Sequence, residues 1–369
     1  MKSGGTVKKL LPNLPKEPRK PKNPPLCPGA TLPCYDEPTM STPIRMIAVD
    51  LDGTLLNSRK RISDVDAEAL RAASARGVEI VPVTGRNYST ALPMVADLLT
   101  TGPLIASNGA IIRSKTGETF QRGLLPAGIA QAVLQATRAF RAYTVLTFDQ
   151  PGHGQFRIEG SRNGDGQAGS PPDGALRQAQ GRERSRTVAA SPWVERYAAS
   201  VRFTESLEEE LDGDPIEIMF AGPVALMREV AERLSKLATE AQRHREILIK
   251  ARNSEEAEEA KEAMQFRLLR TEYPERDFAI MDVIHRDCSK GRAVEAWSRF
   301  RGIPRDQILA IGDNYNDLDM LRFAGVPVVM GNSEEALKQE GWPVTLDCDS
   351  GGVARAVERY VLQVPGFRC

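Results

Sequence analysis

Short apolar segments alternate with helical patterns over two separated parts of the chain, 44–122 and 282–369. The apolar segments are too short and too uniform for amphipathic helices, and they predict buried strands. The predicted strands are 46–49, 78–83, 104–107, 307–311, 327–330 and 343–346, and the predicted helices are 63–77, 88–99, 290–301, 318–324 and 353–364. Strands that alternate with helices predict βαβ units and a parallel sheet.

The intervening region, 123–281, has a different pattern. Its predicted strands are 143–148, 197–203 and 216–221, and its predicted helices are 126–142 and 224–237. This order is typical of an α+β domain, and no polar motif follows its strands. We therefore predict one domain interrupted by another, with a discontinuous core (44–122 and 282–369) and an inserted domain (123–281).

Three stretches depart from both patterns. Residues 1–43 are rich in proline and lysine, which predicts a disordered tail, and those before Met40 could be an extension upstream of the start site. Residues 151–191 are rich in glycine, arginine and glutamine, which predicts a disordered insert. Residues 238–264 predict a charged helix whose acidic run forms a solvated face.

The composition gives more information about possible binding partners than about the fold. Hydrophobic residues make up 41% of the 369 residues and charged residues 27%, which is typical of a soluble globular protein. The 49 basic and 49 acidic side chains cancel, so neither nucleic acid nor a membrane surface is favoured. Five scattered cysteines form neither a disulfide framework nor a zinc motif, so a reducing cytoplasm is predicted. No pattern specifies an oligomeric state.

Polar side chains follow the predicted strands where each one ends, and such ends meet at one edge of a parallel sheet. Asp50 and Asp52 follow the first strand, and two acids without a basic neighbour repel each other unless a cation binds. Taken alone, this stretch could also be an Asp-Gly turn. The later strand ends and one helix start add Thr84, Asn108, Lys290, Asp313, Asn316 and Asp317. Carboxylates with a lysine and a hydroxyl predict a Mg²⁺ site beside a phosphate site.

The motifs at these strand ends resemble those of the haloacid dehalogenase (HAD) superfamily. DLDGTLL at 50–56 resembles motif one, and VTGR at 83–86, SKG at 289–291 and IGDNYNDLDML at 311–321 resemble motifs two, three and four in order. SNGA at 107–110 and MGN at 330–332 narrow the resemblance to Cof-type phosphatases with a type IIB cap. The resemblance implies an α/β fold, with a Rossmann-like parallel-sheet core interrupted by an α+β cap domain.

The resemblance also implies roles for individual residues. Asp50 would be the nucleophile that forms an aspartyl-phosphate, and Asp52 would protonate the leaving oxygen and then activate water. The implied ligands of Mg²⁺ are Asp50, Asp52 through its backbone carbonyl, Asp313 and Asp317. The implied phosphate- or substrate-binding residues are Thr84, Gly85, Arg86, Asn108, Lys290, Asn316 and Asn332.

The predicted function is Mg²⁺-dependent hydrolysis of a small phosphorylated metabolite, with a sugar phosphate preferred, by a cytoplasmic enzyme without nucleic-acid or membrane partners. Two alternatives stay open: a phosphosugar mutase on the same core, and a non-catalytic protein that binds phosphorylated metabolites. Segments 151–191 and 238–264 are not expected from the family pattern and lie in the cap. The leaving group of the substrate therefore stays open.

Overall fold

The computed structural model describes residues 43–98, 102–160, 187–189, 191–250, 266–273 and 276–362. The predicted tail up to residue 42, the middle of the predicted insert (161–186) and the end of the predicted charged helix (251–264) lie outside these residues. Within the described ranges, the chain forms two β-sheets. None of the helices in these ranges has the length and hydropathy that a membrane span requires.

The first sheet, which we call the core sheet, has the order β13-β12-β1-β2-β3-β4-β5. Its strands are β1 (Met46–Asp50), β2 (Glu79–Val83), β3 (Leu104–Ala106), β4 (Ile111–Arg113), β5 (Thr119–Arg122), β12 (Ile308–Gly312) and β13 (Val326–Val329). The pairs from β13 through β3 are parallel, which confirms the predicted α/β class, and the hairpin β4–β5 is added antiparallel to β3.

Helices connect the strands of the core sheet. They are α1 (Asp64–Ala75), α2 (Tyr88–Val95), α6 (Lys290–Arg301), α7 (Leu318–Phe323), α8 (Glu335–Lys338) and α9 (Gly352–Val357), which continues as a π-helical turn, Glu358–Leu362. The predicted strand 343–346 is wrong. Among these residues the structure has one isolated bridge, from Val344 to Val329, and the side chain of Val344 is about half exposed.

The second sheet, which we call the cap sheet, has the order β10-β11-β9-β6-β7-β8. Its strands are β6 (Thr144–Thr147), β7 (Phe156–Glu159), β8 (Val201–Thr204), β9 (Glu217–Gly222), β10 (Phe266–Tyr273) and β11 (Phe278–His285). The accompanying helices are α3 (Ala127–Ala136), α4 (Pro192–Arg196) and α5 (Val224–Lys250). All pairs are antiparallel except β7–β8.

The prediction that 151–191 is disordered is wrong at both ends of that segment. Residues 156–159 form β7, which pairs with β6 and β8, and Val188 is buried in the apolar cluster beside it. The physical reason is the aromatic side chain of Phe156, which packs edge-on against Trp193 with ring centroids 4.8 Å apart. A few apolar side chains are enough to hold a short strand when its partners lie elsewhere in the chain.

The predicted boundary between cap and core at 281–282 falls inside β11, so the cap sheet extends to His285. The prediction does not include strands β10 and β11. In β11, the acid at Asp282 interrupts an otherwise apolar run. With this shift, we retain the division into a discontinuous core and an inserted cap as a proposal.

The two chain segments that connect the sheets contact each other. The Cys288 thiol lies 3.6 Å from the carbonyl oxygen of Gly123, to which it donates a hydrogen bond. A Cβ atom at Gly123 would lie 2.3 Å from the sulfur of Cys288. A larger residue at this position would therefore require the Cys288 side chain to move.

Candidate active site

The carboxyl ends of the parallel strands place the predicted residues at one edge of the core sheet. Asp50 is the last residue of β1 and pairs with Val83, the residue before Thr84. On the other side of β1, strand β12 ends at Gly312, and Asp313 follows directly. The register of the sheet thus brings together side chains that are far apart in the sequence.

Lys290 lies buried between two of these acids. Its Nζ is 2.6 Å from Oδ1 of Asp50 and 2.6 Å from Oδ1 of Asp317. Lys290 is the first residue of α6, whose N-cap Ser289 accepts a hydrogen bond from the backbone N–H of Arg292. Burial alone would lower the pKa of Lys290, but the charges of Asp317 and Asp50 raise it above its usual value. The side chain therefore stays a cation.

Asp317 uses both of its carboxyl oxygens within the protein. One accepts the hydrogen bond from Lys290, and the other accepts from the backbone N–H groups of Asp313 and Asn314, each at 3.1 Å. Asp313 in turn accepts a 2.9 Å hydrogen bond from the hydroxyl of Thr54. These contacts fix the loop after β12 and orient the Asp313 carboxylate.

The group formed by Asp50, Asp313 and Asp317 can hold a divalent metal ion. One carboxyl oxygen from each lies within 4.8 Å of the others. Burial, and then the charge of Asp317, raise the pKa of Asp50 well above its usual value and that of Asp313 to about 7. Three carboxyl groups lie beside a single ammonium, so Lys290 alone does not balance their negative charge when all three are ionised. Closely spaced oxygen ligands of this kind fit a hard cation such as Mg²⁺.

The Asp52 side chain lies outside this group and is held by basic residues. Its carboxylate forms two hydrogen bonds with Arg86, at 2.5 and 2.6 Å, and one with Lys60 at 2.8 Å. Burial would raise the pKa of Asp52, but the hydrogen bonds and charge of Arg86, together with Lys60, lower it to about 2. Asp52 is therefore ionised in this arrangement.

A cavity of about 390 Å³ lies between the edge of the core sheet and the cap sheet. The predicted residues that line it are Asp50, Asp52, Thr84, Gly85, Arg86, Asn108 and Asn316. Behind Asp50, and outside the lining, are Lys290, Asp313 and Asp317. Asn332 is also outside the lining, because its amide nitrogen donates to the Gly53 carbonyl and its amide oxygen accepts from the Cys348 N–H.

Asn108 connects the core edge to the cap. It has a left-handed backbone conformation (φ 52°), which asparagine adopts more readily than most residues, and its N–H donates to the Thr84 carbonyl at 3.0 Å. The side-chain amide donates to Oδ2 of Asp282 at 3.2 Å. Asn108, at the predicted phosphate site, therefore contacts the cap side of the cavity directly.

Further hydrogen bonds join the cap to the rim of the core. The Gln155 amide donates to Oδ1 of Asn87 at 2.5 Å, and the hydroxyl of Ser89 donates to Oε1 of Gln155 at 2.9 Å. An ion pair of 2.7 Å joins Arg113 to Asp149. These contacts hold the cap against the core edge, which reduces the access of water to Asp50.

Two carboxyl groups on the cap side were missed by the sequence analysis. Glu217 on β9 and Asp282 on β11 both line the cavity, where Glu217 is buried and Asp282 is partly exposed. Burial raises the pKa of Asp282 to about 7 against the hydrogen bond from Asn108, and burial with the charge of Asp282 raises that of Glu217 well above its usual value. The available signal was a single acid inside an otherwise apolar strand, as in IEIMF and AIMDVI.

Comparisons with known proteins agree with this geometry. The chain is 28% identical over 327 residues to the phosphatase YwpJ of Bacillus subtilis, covering 86% of this chain and 100% of that protein. It is 26% identical over 324 residues to YwtE of the same organism, a 5-amino-6-(5-phospho-D-ribitylamino)uracil phosphatase, covering 86% and 98%. A solved sugar phosphatase of HAD subclass IIB has the same fold, with a TM-score of 0.58, 20% identity and coverage of 86% and 98%.

The family assignment rests on a sequence match to both outer parts of the chain. Residues 47–153 and 225–357 match the family described as haloacid dehalogenase-like hydrolase. Together with the phosphatases named above, this match confirms the resemblance and the predicted enzyme class. The chain belongs to the haloacid dehalogenase-like hydrolase family.

Proposed function

We propose that this protein is a Mg²⁺-dependent phosphatase that hydrolyses a small phosphorylated metabolite, preferably a sugar phosphate, in the cytoplasm. The observation that supports this most is the position of Asp50, which contacts the buried Lys290 and lies within 4.8 Å of Asp313 and Asp317 at the cavity floor. The relative YwtE acts on 5-amino-6-(5-phospho-D-ribitylamino)uracil, which is a small phosphorylated metabolite.

Asp50 is the proposed nucleophile. A bond forms between its carboxyl oxygen and phosphorus while the bond from phosphorus to the leaving oxygen breaks, which gives an aspartyl-phosphate. The ammonium of Lys290, 2.6 Å from Oδ1, holds the short Asp50 side chain in place. Asp50, Asp313 and the backbone carbonyl of Asp52 would hold Mg²⁺, which would reduce the repulsion between the carboxylate and the incoming phosphate.

Asp52 is the proposed acid and base, and its ion pairs set a condition on that role. With Arg86 and Lys60 in contact, its pKa of about 2 keeps it ionised, so it has no proton to donate. A phosphate that attracts the Arg86 guanidinium would weaken this pair and allow Asp52 to take up a proton for the leaving oxygen. The carboxylate form that remains then accepts a proton from water as the water oxygen bonds to phosphorus. The bond between phosphorus and Asp50 breaks, which releases inorganic phosphate and restores the Asp50 carboxylate.

The remaining lining residues are proposed contacts for the phosphate oxygens. The Thr84 hydroxyl accepts from the backbone N–H of Arg86 at 3.0 Å, so its own proton is available to a ligand. The side-chain oxygen of Asn316 is buried without a hydrogen-bond partner in the described part of the protein. This oxygen is an acceptor, so we propose that it accepts a hydrogen bond from a substrate hydroxyl or a bound water, while the amide nitrogen of Asn316 donates to the phosphate.

The test is phosphate release from a panel of phosphorylated metabolites in the presence of Mg²⁺. We expect Asp50→Asn to lower kcat by about 10⁴-fold or more, because removal of a nucleophile has effects of this size or larger. Circular dichroism and thermal unfolding check that the variant is folded. Asp64→Asn is the matched control, since Asp64 is exposed in the first turn of α1 and far from the cavity lining. Unchanged turnover by Asp50→Asn would contradict the mechanism.

The same panel separates the two alternatives. A phosphosugar mutase would give an isomerised product and would be accelerated by a bisphosphorylated sugar. A non-catalytic binding protein would bind one of the metabolites tightly and release no phosphate in excess Mg²⁺.

A further inference from the structure

The cap places two carboxyl groups against the cavity that the proposed chemistry does not use, one buried (Glu217) and one partly exposed (Asp282). Glu217 and Asp282 lie on adjacent antiparallel strands, where Glu217 pairs with Ile284 and Asp282 pairs with Met219. Residues two apart on a strand share a face, so the two carboxyl groups are diagonal neighbours on one face of the cap sheet. That face is the roof of the cavity, since both residues line it.

The pair lacks the hydrogen-bond donors and cations that carboxyl groups shielded from water require. Glu217 is 94% buried, since 6% of its surface is exposed, and its Oε2 has no hydrogen-bond partner among the described residues. Within the same ranges neither acid forms an ion pair, and their protein contacts are the amide of Asn108 and the side chain of Thr147. A buried, unsatisfied carboxyl group is costly, and a second acid beside it adds to the cost.

The position of the pair matches the position of a leaving group. Asn108 contacts Thr84 in the predicted phosphate site through its backbone N–H and Asp282 in the cap through its side chain, so one residue separates the two sites. A phosphate ester bound at Thr84 would therefore place its organic part below Glu217 and Asp282. Trp193 and Tyr197, with ring centroids 5.3 Å apart, supply an apolar wall to the same cavity.

From these contacts we infer that Glu217 and Asp282 bind a protonated amino group on the leaving group of the substrate. The inference rests on the proposed phosphatase function and adds a substrate class to it. An ammonium supplies three donors and a positive charge, which satisfies the free oxygen of Glu217 and relieves the repulsion between the acids. A hydroxyl would supply one donor and no charge. A metal ion is less suitable, because no third acidic, histidine or cysteine ligand joins the pair in the described chain.

Two pairs of phosphate esters test the inference, each pair differing mainly in an amine and a hydroxyl. Glucosamine 6-phosphate is compared with glucose 6-phosphate, and pyridoxamine 5′-phosphate with pyridoxine 5′-phosphate. We expect the wild-type enzyme to prefer the amine in kcat/KM by about tenfold or more in at least one pair, as for a charge-assisted hydrogen bond. The pair that shows the preference distinguishes an amino sugar from a planar nitrogenous ring.

Glu217→Gln keeps the size of the side chain and removes its charge. We expect it to reduce the amine preference to about twofold or less, chiefly by lowering kcat/KM for the amine ester. Asp282→Asn should reduce the preference in the same direction. Glu272→Gln is the matched control, because Glu272 lies on the neighbouring β10 outside the cavity lining and pairs with Arg228, so it should leave the preference unchanged. Thermal unfolding shows which variants are folded.

The outcomes separate this inference from the proposed function. A wild-type ratio near one in both pairs, or a ratio that neither Glu217→Gln nor Asp282→Asn changes, overturns the inference. It is also overturned if p-nitrophenyl phosphate is hydrolysed but none of the four esters is, and the phosphatase function then stands. If no ester is hydrolysed in Mg²⁺, the phosphatase function is wrong and the inference falls with it.

Discussion

Acidic side chains lie on both the core side and the cap side of the cavity, and the protein pairs the two groups differently. On the core side, Asp50 and Asp317 share the ammonium of Lys290, and Asp317 also accepts two backbone N–H groups. On the cap side, Glu217 and Asp282 have no cation among the described residues. The core acids thus have a positively charged partner within the protein. For the cap acids, we expect the positively charged partner to be part of the substrate.

The largest effect should come from removing the cation on the core side. Lys290→Met leaves two buried carboxylates without a counter-charge, so we expect a loss of about 3–5 kcal/mol in the free energy of unfolding. Glu217→Gln removes an acid that has no counter-charge, so it should leave stability unchanged or slightly increased. Denaturant unfolding of both variants without Mg²⁺ measures the difference. Equal losses would show that the two groups of acids are not distinct.

The next effect should come from adding Mg²⁺. Binding to the native state alone should stabilise the protein by about 2.7 kcal/mol when free Mg²⁺ is 100 times its Kd. Asp313→Asn should abolish most of this gain, because it removes a carboxylate of the core group. Glu217→Gln should retain it. Unfolding curves over a Mg²⁺ titration test both statements, and a full gain in Asp313→Asn would place the ion elsewhere.

The third effect concerns pH at saturating Mg²⁺, where the core acids are held ionised by the metal. The pKa of Asp282 is about 7 in the folded protein against 3.8 ordinarily, so the folded state binds more protons between these values. The contribution of Asp282 to stability should therefore be greatest below about pH 4 and decrease towards pH 7, by at most about 1.4 kcal/mol per pH unit. Asp282→Asn should reduce the slope. A slope of opposite sign in the difference between wild type and variant would contradict the assignment.

The core side could be predicted from the sequence because its information is local. The acids follow short apolar runs, and Lys290 begins a helix whose observed bounds, Lys290–Arg301, are those predicted. The exposure of its side chains is less predictable. Phe300, three residues after the buried Trp297, is 67% exposed and lies against the rings of Phe120 and Trp297. The apolar pattern identifies a face but not how far the neighbouring elements extend over it.

The positions of the cap acids could not be predicted, because they depend on contacts between residues that are far apart in the sequence. A single acid in an apolar strand, as at Glu217 and Asp282, is consistent with a solvent-exposed position when the strand is considered alone. The buried position of Glu217 follows from the pairing of β9 with β11, and Asp282 contacts Asn108, which is 174 residues away in the sequence. Strand β7 has a similar cause, since its aromatic partner Trp193 lies beyond residues 161–186.

The contact between Gly123 and Cys288 has a consequence for how this enzyme can diverge. The chain leaves the core sheet and returns to it at nearly the same point, so insertions and deletions in 124–287 leave the spacing between β1 and β12 unchanged. Natural variation can therefore alter the size and composition of the cap side of the cavity while the proposed catalytic residues at the edge of the core sheet keep their positions. Related proteins that share the residues around Asp50 would then differ more in their substrates than in the reaction that they catalyse.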